Sequence, residues 1–563
     1  MNYSWKIILK ILLVTEKYNP QENQRDGGAT LVKSLVRAFG DSLSIMQFGS
    51  QPNASCNWNY SYPHPSNCRF EQRILNADYI GRKVFEVQSQ FTHILFVHIS
   101  MQFGILKYPI NSDIMVWTFP MFLTPSYLAS GETVPNEYTS MERLLLTQVQ
   151  NILTPSRLEK QQLLEFYNVP EEKIHVIPRG IDTTYIKAHV RQINSRPIFC
   201  SIGSIKSQKN TLGLINLFSS LHQKYPEAKL RIIGPIQNDK YYRLVIEEAE
   251  NLGLSNYIEF TGFIDHQHMT SVLKDCHLHS SVSTCETFGR SIFESLAAGL
   301  PNIAMKSGNA AAEYLGHLPY ARFVDNMKMM IAEVDSMLEK LEILSSLATE
   351  IGELYNDIFL SQMIAAKIMK SQIIAISDFD GTLYHKDDAL KTTRSFKAFE
   401  HYPLKVICSA RPLNDILKQL QKHELKAEWI IAYGGAIIAQ GCGKVHYEIP
   451  LKSEDVNYLK EIYPEANIYK HDKQPLQVTI PNPISRELTG YRIEQYQQET
   501  FISNWKASKL HAVHKLLRHI NWRGQVLVFG DGPYDNELLT YFDGIKVTPF
   551  PTNNREKKEV IYV

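Results

Sequence analysis

Short apolar runs of strand length recur along the chain and alternate with longer segments of helical periodicity. This alternation is typical of βα units, in which helices cover both faces of a parallel sheet. The runs form three series, Lys10 to Pro178, Pro197 to Met305 and Ile373 to Asp531. A chain of 563 residues is too long for one hydrophobic core. The pattern therefore predicts an α/β protein with three Rossmann-like sheets.

The composition excludes several classes of protein. With 59 basic and 58 acidic residues the formal charge is only +1, so no nucleic-acid partner is expected. No apolar stretch reaches the roughly 18 residues that span a bilayer, and Lys10 interrupts the apolar start, so membrane attachment is not expected either. Seven scattered cysteines without a CxxC pair indicate neither a zinc site nor a disulfide framework and favour a cytoplasmic location.

The strongest local motif is Asp378-Phe-Asp-Gly-Thr-Leu383, directly after the apolar run Ile373 to Ile376. Two carboxylates separated by one residue, Asp378 and Asp380, extend from the end of a strand, where open α/β sheets bind their ligands. This arrangement suits covalent phosphoryl chemistry. One carboxylate attacks phosphorus, while the other protonates the leaving alcohol and then activates water.

Three further motifs follow in the order that such chemistry requires. Ser409, in CSAR, offers a hydroxyl and backbone donors to a phosphate, and Lys509 adds a positive charge at the start of a helical segment. Asp531 and Asp535 follow in GDGPYD. Mg²⁺ prefers hard oxygen ligands, so Asp378, the carbonyl of Asp380 and Asp531, supported by Asp535, are predicted to form a magnesium site.

A second chemical motif lies in the middle series. Glu286 and Glu294 bracket the sequence TFGRSIF, and carboxylates at this spacing can hold a ribose and a transferred sugar. We predict Glu286 as catalytic and Glu294 as donor-binding. Gly289 lets the backbone approach a diphosphate at a helix start, where Arg290 follows.

Two loops upstream carry candidate phosphate-binding residues. Lys209 lies in the loop that follows the strand PIFCSI, where a positive charge can neutralise a leaving diphosphate. Gly27 and Gly28 follow the first strand and precede a helical segment, a natural phosphate cradle. Alone, paired glycines are a weak signal, since many surface turns carry them.

The C-terminal motifs resemble the haloacid dehalogenase phosphatase superfamily. The insertion between Ser409 and Lys509, with its YGGAII sequence, is similar to the branch that carries an α/β cap there, which includes sucrose-phosphate phosphatases and phosphomannomutases. The resemblance implies Asp378 as the nucleophile and Asp380 as the acid/base. Tyr534 stands where that branch usually has Asn.

The motifs of the first two series resemble the retaining GT-B glycosyltransferases of the sucrose-phosphate-synthase-like family. That resemblance covers residues 10–370 and implies a nucleotide-sugar co-substrate, with His98 as a candidate active-site histidine. A buried core histidine is an equally good interpretation of His98. Ser204 departs from the family pattern, which has Arg there, and Lys206 or Arg290 are candidates to compensate.

The predicted fold is a GT-B pair of Rossmann-like domains followed by a haloacid dehalogenase Rossmann-like domain with an inserted α/β cap. The predicted limits are 1–178 for the acceptor domain, 179–345 for the nucleotide-sugar domain, 346–370 for a helical return or linker, and 371–563 for the phosphatase with its cap at about 430–505.

Two enzymes in one chain favour sequential chemistry, in which a sugar is transferred to a small phosphorylated acceptor and the product then loses its phosphate to a Mg²⁺-dependent phosphatase. The expected partners are a sugar nucleotide and a sugar phosphate. Two alternatives remain open, a lipid or polysaccharide acceptor with an independent sugar phosphatase, and an inactive sugar-nucleotide sensor that regulates the phosphatase. The sequence specifies neither the donor base, the acceptor, nor the oligomeric state.

Overall fold

The structure, a computed structural model, describes residues 9–16, 27–49, 56–184, 186, 188–192, 196–386, 388–482, 484, 488, 490–496 and 499–547. The chain divides into two compact units, Met1–Ile368 and Met369–Val563. Within the described residues, no helix is both long and apolar enough to cross a bilayer.

The first unit begins with a parallel sheet whose order is β3-β2-β1-β4-β5-β6-β7. Its strands are β1 (Ile11–Glu16), β2 (Leu43–Phe48), β3 (Trp58–Tyr60), β4 (His93–Val97), β5 (Met115–Phe119), β6 (Asn151–Thr154) and β7 (Ile174–Val176). Its helices are α1 (Gly27–Phe39), α2 (Arg69–Leu75), α3 (Ala77–Val87), α4 (Thr124–Ala129), α5 (Asn136–Gln148) and α6 (Arg157–Tyr167).

The central strand β1 is apolar on both faces because both faces of this sheet are covered. Ile11 and Leu13 pack in one hydrophobic core, and Leu12 and Val14 pack in another on the opposite face. Side chains of a strand alternate between the two faces, so an unbroken apolar run satisfies both cores.

A second parallel sheet in the same unit has the order β10-β9-β8-β11-β12-β13. Its strands are β8 (Ile198–Ile202), β9 (Lys229–Ile233), β10 (Ile258–Gly262), β11 (Leu278–Ser281), β12 (Asn302–Met305) and β13 (Ala321–Val324). The associated helices are α7 (Thr211–Lys224), α8 (Asp239–Asn251), α9 (Met269–Leu273), α10 (Arg290–Ala297), α11 (Ala311–Leu315) and α12 (Met327–Glu339).

Three helices then return the chain to the first sheet: α13 (Leu341–Ala348), α14 (Ile351–Leu354) and α15 (Asp357–Ile368). Ile364 and Ile368 of α15 pack in the core that contains Ile11. Asp357 accepts hydrogen bonds from Ser34 and from Arg37 of α1. The last helix of the unit is therefore part of the first layer.

The second unit contains a mixed sheet with the order β18-β17-β16-β15-β14-β23-β24. Its strands are β14 (Ile373–Ser377), β15 (Leu404–Cys408), β16 (Trp429–Ala432), β17 (Ile437–Gln440), β18 (Val445–Glu448), β23 (Gln525–Gly530) and β24 (Ile545–Lys546), and its helices are α16 (Ala389–Glu400), α17 (Leu413–Lys422), α19 (Lys509–His519) and α20 (Asn536–Tyr541). β14 pairs in parallel with β15 and β23, so their carboxyl ends meet at one edge.

An α/β layer is inserted between β18 and α19. It consists of α18 (Ser453–Ile462) and an antiparallel sheet of β19 (Asn467–His471), β20 (Gln474–Ile480), β21 (Tyr491–Tyr496) and β22 (Glu499–Asn504), with its own hydrophobic core. The sequence-based limit of about residue 430 assigns β17 and β18 to the cap, whereas both strands extend the larger sheet in antiparallel pairing. We therefore propose that the cap begins after β18.

Candidate active sites

Lys209 and Glu286 meet in the first unit because they follow neighbouring strands. Lys209 ends a short 3-10 turn after β8, Glu286 follows β11, and β8 and β11 pair in parallel. The Lys209 Nζ atom lies 2.5 Å from Glu286 Oε1. A Cβ atom at Gly203 would lie only 3.1 Å from Lys209 Cε, so the aliphatic part of the Lys209 side chain packs against the Gly203 backbone. Parallel strand ends of this kind are the usual ligand edge of an α/β sheet.

The start of α10 lies in the same region of the sheet. Gly289 precedes α10 with a φ of +81°, a conformation that favours glycine, and a Cβ atom there would lie 3.0 Å from Ala311 Cβ. Arg290 Nε lies 3.2 Å from Glu294 Oε1 one turn later. Arg290 also donates a hydrogen bond to the Thr30 hydroxyl in the first turn of α1, so the two helix starts face each other.

The predicted glycine cradle is described only in part. Gly27 and Gly28 are the first residues of α1. The ten residues before them, 17–26, lie outside the described residues. Their role as a phosphate cradle stays a prediction.

His98 lies at the end of β4, in a polar cluster on the first sheet. Its φ of +82° is unusual for a residue with a side chain. Its Nδ1 atom accepts a hydrogen bond from the Ser100 backbone N–H at 3.2 Å, which leaves the remaining ring proton on Nε2, 3.3 Å from the Tyr127 hydroxyl. Burial, with Arg73 and Arg69 nearby, lowers the pKa of His98 well below its usual value. The ring is therefore neutral at pH 7.

Arg69 and Arg73 of α2 are residues that the sequence analysis missed. Arg73 lies 3.1 Å from Glu16 Oε2 and 3.3 Å from the Tyr127 hydroxyl. Arg69 pairs with Glu132, and its guanidinium carbon lies 4.7 Å from the centre of the Tyr127 ring. In the sequence these arginines look like ordinary helix-surface residues, because their partners lie far away along the chain.

The candidate phosphatase site is a buried charge network in the second unit. The Lys509 Nζ atom donates to Asp378 Oδ1 and to Asp535 Oδ1, both at 2.7 Å. Asp378 follows β14, Asp535 lies in the turn after β23, and Lys509 begins α19. Burial raises the pKa of Asp378 to about 7, although Lys509 opposes the shift. A buried lysine between two carboxylates satisfies charges that burial alone would penalise.

Asp531 completes a group of carboxylates that fits a divalent cation. One oxygen each from Asp378, Asp531 and Asp535 lie within 4.8 Å of one another. A Cβ atom at Gly381 would lie 1.9 Å from Asp531 Oδ2, so only glycine leaves room for this carboxylate. Burial, followed by the charge of Asp535, also raises the pKa of Asp531. A hard divalent cation would relieve this repulsion, so these oxygen donors suit Mg²⁺.

Asp380 is positioned differently from the other three carboxylates. Its two oxygens accept hydrogen bonds from Arg411 Nε and Nη2, both at 2.6 Å. Arg411 is a further residue that the sequence analysis missed, although it belongs to the quoted CSAR motif. Its backbone N–H donates to the Ser409 hydroxyl at 3.2 Å, and Ser409 is buried. Asp380, Arg411 and Ser409 thus form a second group in the same unit.

The cap adds a buried ion pair that motif reading did not identify. Arg492 of β21 lies 2.9 Å from Glu494 Oε1 and 3.1 Å from Glu537 Oε2 of α20. A Cβ atom at Gly434 would lie 3.3 Å from Glu494 Oε2, so Glu494 approaches the YGG turn. Arg492 thus bridges two carboxylates and joins the inserted layer to helix α20.

The fold and these sites define a chain that joins a GT-B glycosyltransferase fold to a haloacid dehalogenase-like hydrolase domain. Residues 62–185 match the family described as Glycosyltransferase Family 4, residues 184–349 match Glycosyl transferases group 1, and residues 375–501 match haloacid dehalogenase-like hydrolase. Both resemblances drawn from the motifs are confirmed by these matches.

Curated relatives share part of the first unit. An alpha-monoglucosyldiacylglycerol synthase from Streptococcus pneumoniae is 29% identical over 32% of this chain and 42% of the relative. A mannosylfructose-phosphate synthase from Agrobacterium fabrum is 23% identical over 35% of this chain and 48% of the relative. The chain thus spans about half the length, 42% and 48%, of these curated relatives.

Solved structures confirm the GT-B fold. Sucrose-phosphate synthase from Thermosynechococcus elongatus superposes with a TM-score of 0.55 at 14% identity, over 64% of this chain and 98% of that one. Anabaena HepE in complex with UDP and glucose superposes with a TM-score of 0.50 at 15% identity, over 64% of this chain and 99% of that one. At these identities the likeness concerns the fold alone.

Proposed function

We propose that this chain is a bifunctional enzyme that transfers a sugar from a nucleotide-sugar to a small phosphorylated acceptor, with retention, and then hydrolyses the phosphate of the product. The observation that carries the proposal is the presence, in one chain, of the Lys209–Glu286 pair on a GT-B fold and the Asp378–Lys509–Asp535 network in a hydrolase domain. The first site suits departure of a nucleoside diphosphate. The second suits attack on a phosphate monoester.

In the transferase step, Lys209 stabilises the negative charge that develops on the departing diphosphate. The backbone at Gly289 and the N-terminus of α10 add a favourable electrostatic environment for the same group. Glu294 accepts hydrogen bonds from the ribose hydroxyls, while Glu286 lies toward the transferred sugar. Retained activity requires another cation to compensate for Ser204, which stands where the resembling enzymes have Arg.

In the phosphatase step, an Asp378 carboxylate oxygen attacks phosphorus as the bond between phosphorus and the sugar oxygen breaks, which forms an aspartyl phosphate. Asp380 must first leave its ion pair with Arg411 and take up a proton from solvent. It gives this proton to the departing sugar oxygen and then takes a proton from the water that hydrolyses the aspartyl phosphate, which restores the Asp378 carboxylate. Lys509 holds Asp378 in place and offsets its charge, and Ser409 donates to a phosphate oxygen. Mg²⁺, held by Asp378, the Asp380 carbonyl, Asp531 and Asp535, would supply further positive charge at the phosphoryl group.

Two comparisons support a phosphorylated product of the first step. Sucrose-phosphate synthase and mannosylfructose-phosphate synthase are both named for phosphorylated products, and HepE binds UDP. A phosphatase fused to such a transferase would remove the phosphate and make the sequence irreversible. A uridine nucleotide is accordingly the first donor to test.

The order of the two steps can be tested with Asp378→Asn. With UDP-glucose and hexose 6-phosphates as substrates, this variant should accumulate a phosphorylated glycoside, whereas the wild type should release free glycoside and phosphate. Both products are resolved by anion-exchange chromatography. Glu400→Gln, the same carboxylate-to-amide change at an exposed position of α16, is the matched control and should behave as the wild type. Free glycoside from Asp378→Asn at the wild-type rate would refute this order.

A second candidate keeps the transferase but gives it a lipid acceptor, with the phosphatase acting on another metabolite. The similarity to an alpha-monoglucosyldiacylglycerol synthase favours this alternative. It predicts that the chain sediments with diacylglycerol-containing anionic vesicles and glucosylates them. The first proposal predicts that hexose phosphates are glucosylated and that the vesicles are not.

A further inference from the structure

Lys206 lies where the two sheets of the first unit meet, and no described acidic residue forms an ion pair with it. Its backbone is fixed, because its carbonyl accepts from the Lys209 N–H at 3.0 Å and the preceding residue, Ile205, is buried and donates to the Pro235 carbonyl at 2.9 Å. Among the described residues, the Lys206 ammonium has neither a hydrogen bond nor an ion pair. A partly buried lysine normally has a compensating anion.

The cations around Lys206 are already neutralised. Lys209 pairs with Glu286, and Arg69 pairs with Glu132. Burial lowers the pKa of Lys206, and the charges of Lys209 and Arg69 lower it further, while Glu132 and Glu286 oppose them. The excess positive charge of this region therefore resides on Lys206.

Arg69 approaches the same place from the other sheet. Its guanidinium packs over the rings of Tyr127 and Phe70, at 4.7 and 5.0 Å from their centres. The residue after Lys206, Ser207, donates to the Ser130 carbonyl at 3.3 Å, two residues before the Glu132 that pairs with Arg69. The charge of Glu132 also acts on Lys206, so Lys206 and Arg69 both lie near this carboxylate.

We propose that Lys206 and Arg69 together bind a phosphoryl group of a substrate at this meeting point of the two sheets. A doubly charged phosphoryl group would give Lys206 its missing anion and would compete with Glu132 for Arg69. The inference rests on the proposed function for its source of phosphate. That source is either the diphosphate of the donor or the phosphate of the acceptor.

The anion site itself is tested by chemical labelling of the full-length protein. Acetylation of lysines with an N-hydroxysuccinimide ester is followed by peptide mass spectrometry, in inorganic phosphate, UDP or glucose 6-phosphate and in chloride of equal ionic strength. At least one of the three should slow labelling of Lys206 about fivefold or more and leave the exposed Lys274 unaffected. In the Arg69→Gln variant, the ligand concentration that halves the rate of Lys206 acetylation should be at least fivefold higher than in the wild type. Equal labelling of Lys206 in all four solutions overturns the proposal.

The source of the phosphoryl group is identified with Lys206→Gln and Lys206→Arg, with Lys274→Gln as the control. If the donor supplies it, Lys206→Gln raises the Kd for UDP at least tenfold. If the acceptor supplies it, the KM for the hexose 6-phosphate rises at least tenfold while UDP binding is unchanged. Lys206→Arg should restore the affected Kd or KM to within about threefold of the wild-type value. No change in either value overturns the proposal.

Failure of the proposed function would look different. If Lys206 is protected by phosphate but the wild type transfers no sugar to any hexose phosphate, the bifunctional assignment fails and the anion site stands.

Discussion

Glu159 is a buried acid with no hydrogen-bond partner for either carboxyl oxygen among the described residues. It lies in the first turn of α6, where its own N–H donates to the Ser156 hydroxyl at 3.2 Å. Burial raises the pKa of Glu159 to about 8, although the charge of Arg179 opposes the shift. The side chain is therefore neutral over most of the physiological range, as an unpaired buried acid must be.

This raised pKa gives stability a pH dependence of definite sign. In the unfolded chain Glu159 loses its proton near pH 4.5, whereas the folded protein keeps it to about pH 8. The folded state therefore binds more protons between these values, and the free energy of unfolding falls as pH rises, by at most about 1.4 kcal/mol per pH unit. Glu159→Gln should remove this loss, so its stability relative to the wild type should rise from pH 5.5 to pH 7.5.

Urea unfolding at pH 5.5, 6.5 and 7.5 measures the difference, with the exposed Glu172→Gln as the control. If the stability difference between Glu159→Gln and the wild type is constant across this range, Glu159 is ionised in the folded protein and its predicted neutrality is wrong.

At the scale of elements, the N-terminus of α6 is capped from another part of the first unit. Glu313 of α11 accepts from the backbone N–H groups of Arg157 and Leu158, at 2.8 and 2.6 Å. The next residue, Tyr314, donates its hydroxyl proton to the Pro155 carbonyl at 2.8 Å. A carboxylate at a helix N-terminus satisfies free N–H groups and interacts favourably with the helix dipole. This contact joins a helix of the first sheet to a helix of the second.

Glu313→Ala should therefore cost about 1–2 kcal/mol of unfolding free energy, because two helix N–H groups lose their acceptor. Glu313→Gln, which keeps one acceptor oxygen, should lose about half as much. Glu342→Ala, which removes an exposed acid from the first turn of α13, should change stability by less than about 0.5 kcal/mol. Denaturant titration of the three variants measures these values. Equal losses in Glu313→Ala and Glu342→Ala would show that the cap contributes nothing.

Elements buried on both faces were the easiest to predict from the sequence. The unbroken apolar runs of β1, β4 and β14 identified central parallel strands, since both faces of such strands face a core. β18 was missed because all four of its residues are only partly buried, so it lacks an apolar run. β3 lies in a segment rich in Pro, Asn and Ser, residues 51–68, which is typical of loops, and its three residues are also only partly buried.

The same contrast holds for the sites. The proximity of three carboxylates was predictable, because each follows a recognisable strand and the ends of parallel strands converge. These residues are Asp378, Asp531 and Asp535. The Arg411–Asp380 pair joins residues 31 positions apart, and no local pattern specifies that contact. The positive φ of His98 is likewise a tertiary effect, since the sequence around it shows no glycine or turn signal.

At the scale of the whole molecule, the two candidate sites lie in different compact units. The Lys209–Glu286 pair belongs to the first unit and the Asp378–Lys509–Asp535 network to the second. In the bifunctional proposal, each site carries out its own step with its own residues. In the alternative, a catalytically inactive first unit senses a sugar nucleotide and regulates the phosphatase.

Crossed single-site variants of the full chain separate these hypotheses. Lys209→Ala should lower the transfer rate by about 10²–10³, because it removes one charge from the leaving group, and should leave hydrolysis of a phosphorylated glycoside within about twofold of the wild type. Asp378→Asn should lower hydrolysis by about three or more orders of magnitude, because the nucleophile is lost, and should leave transfer unchanged. Transfer is measured as UDP release and hydrolysis as phosphate release. The sensor hypothesis predicts that UDP binds without sugar transfer and alters the rate of phosphate release, and that Lys209→Ala abolishes this effect. Such a result would identify the first unit as a sensor, because only a regulatory coupling links binding at one site to the rate at the other.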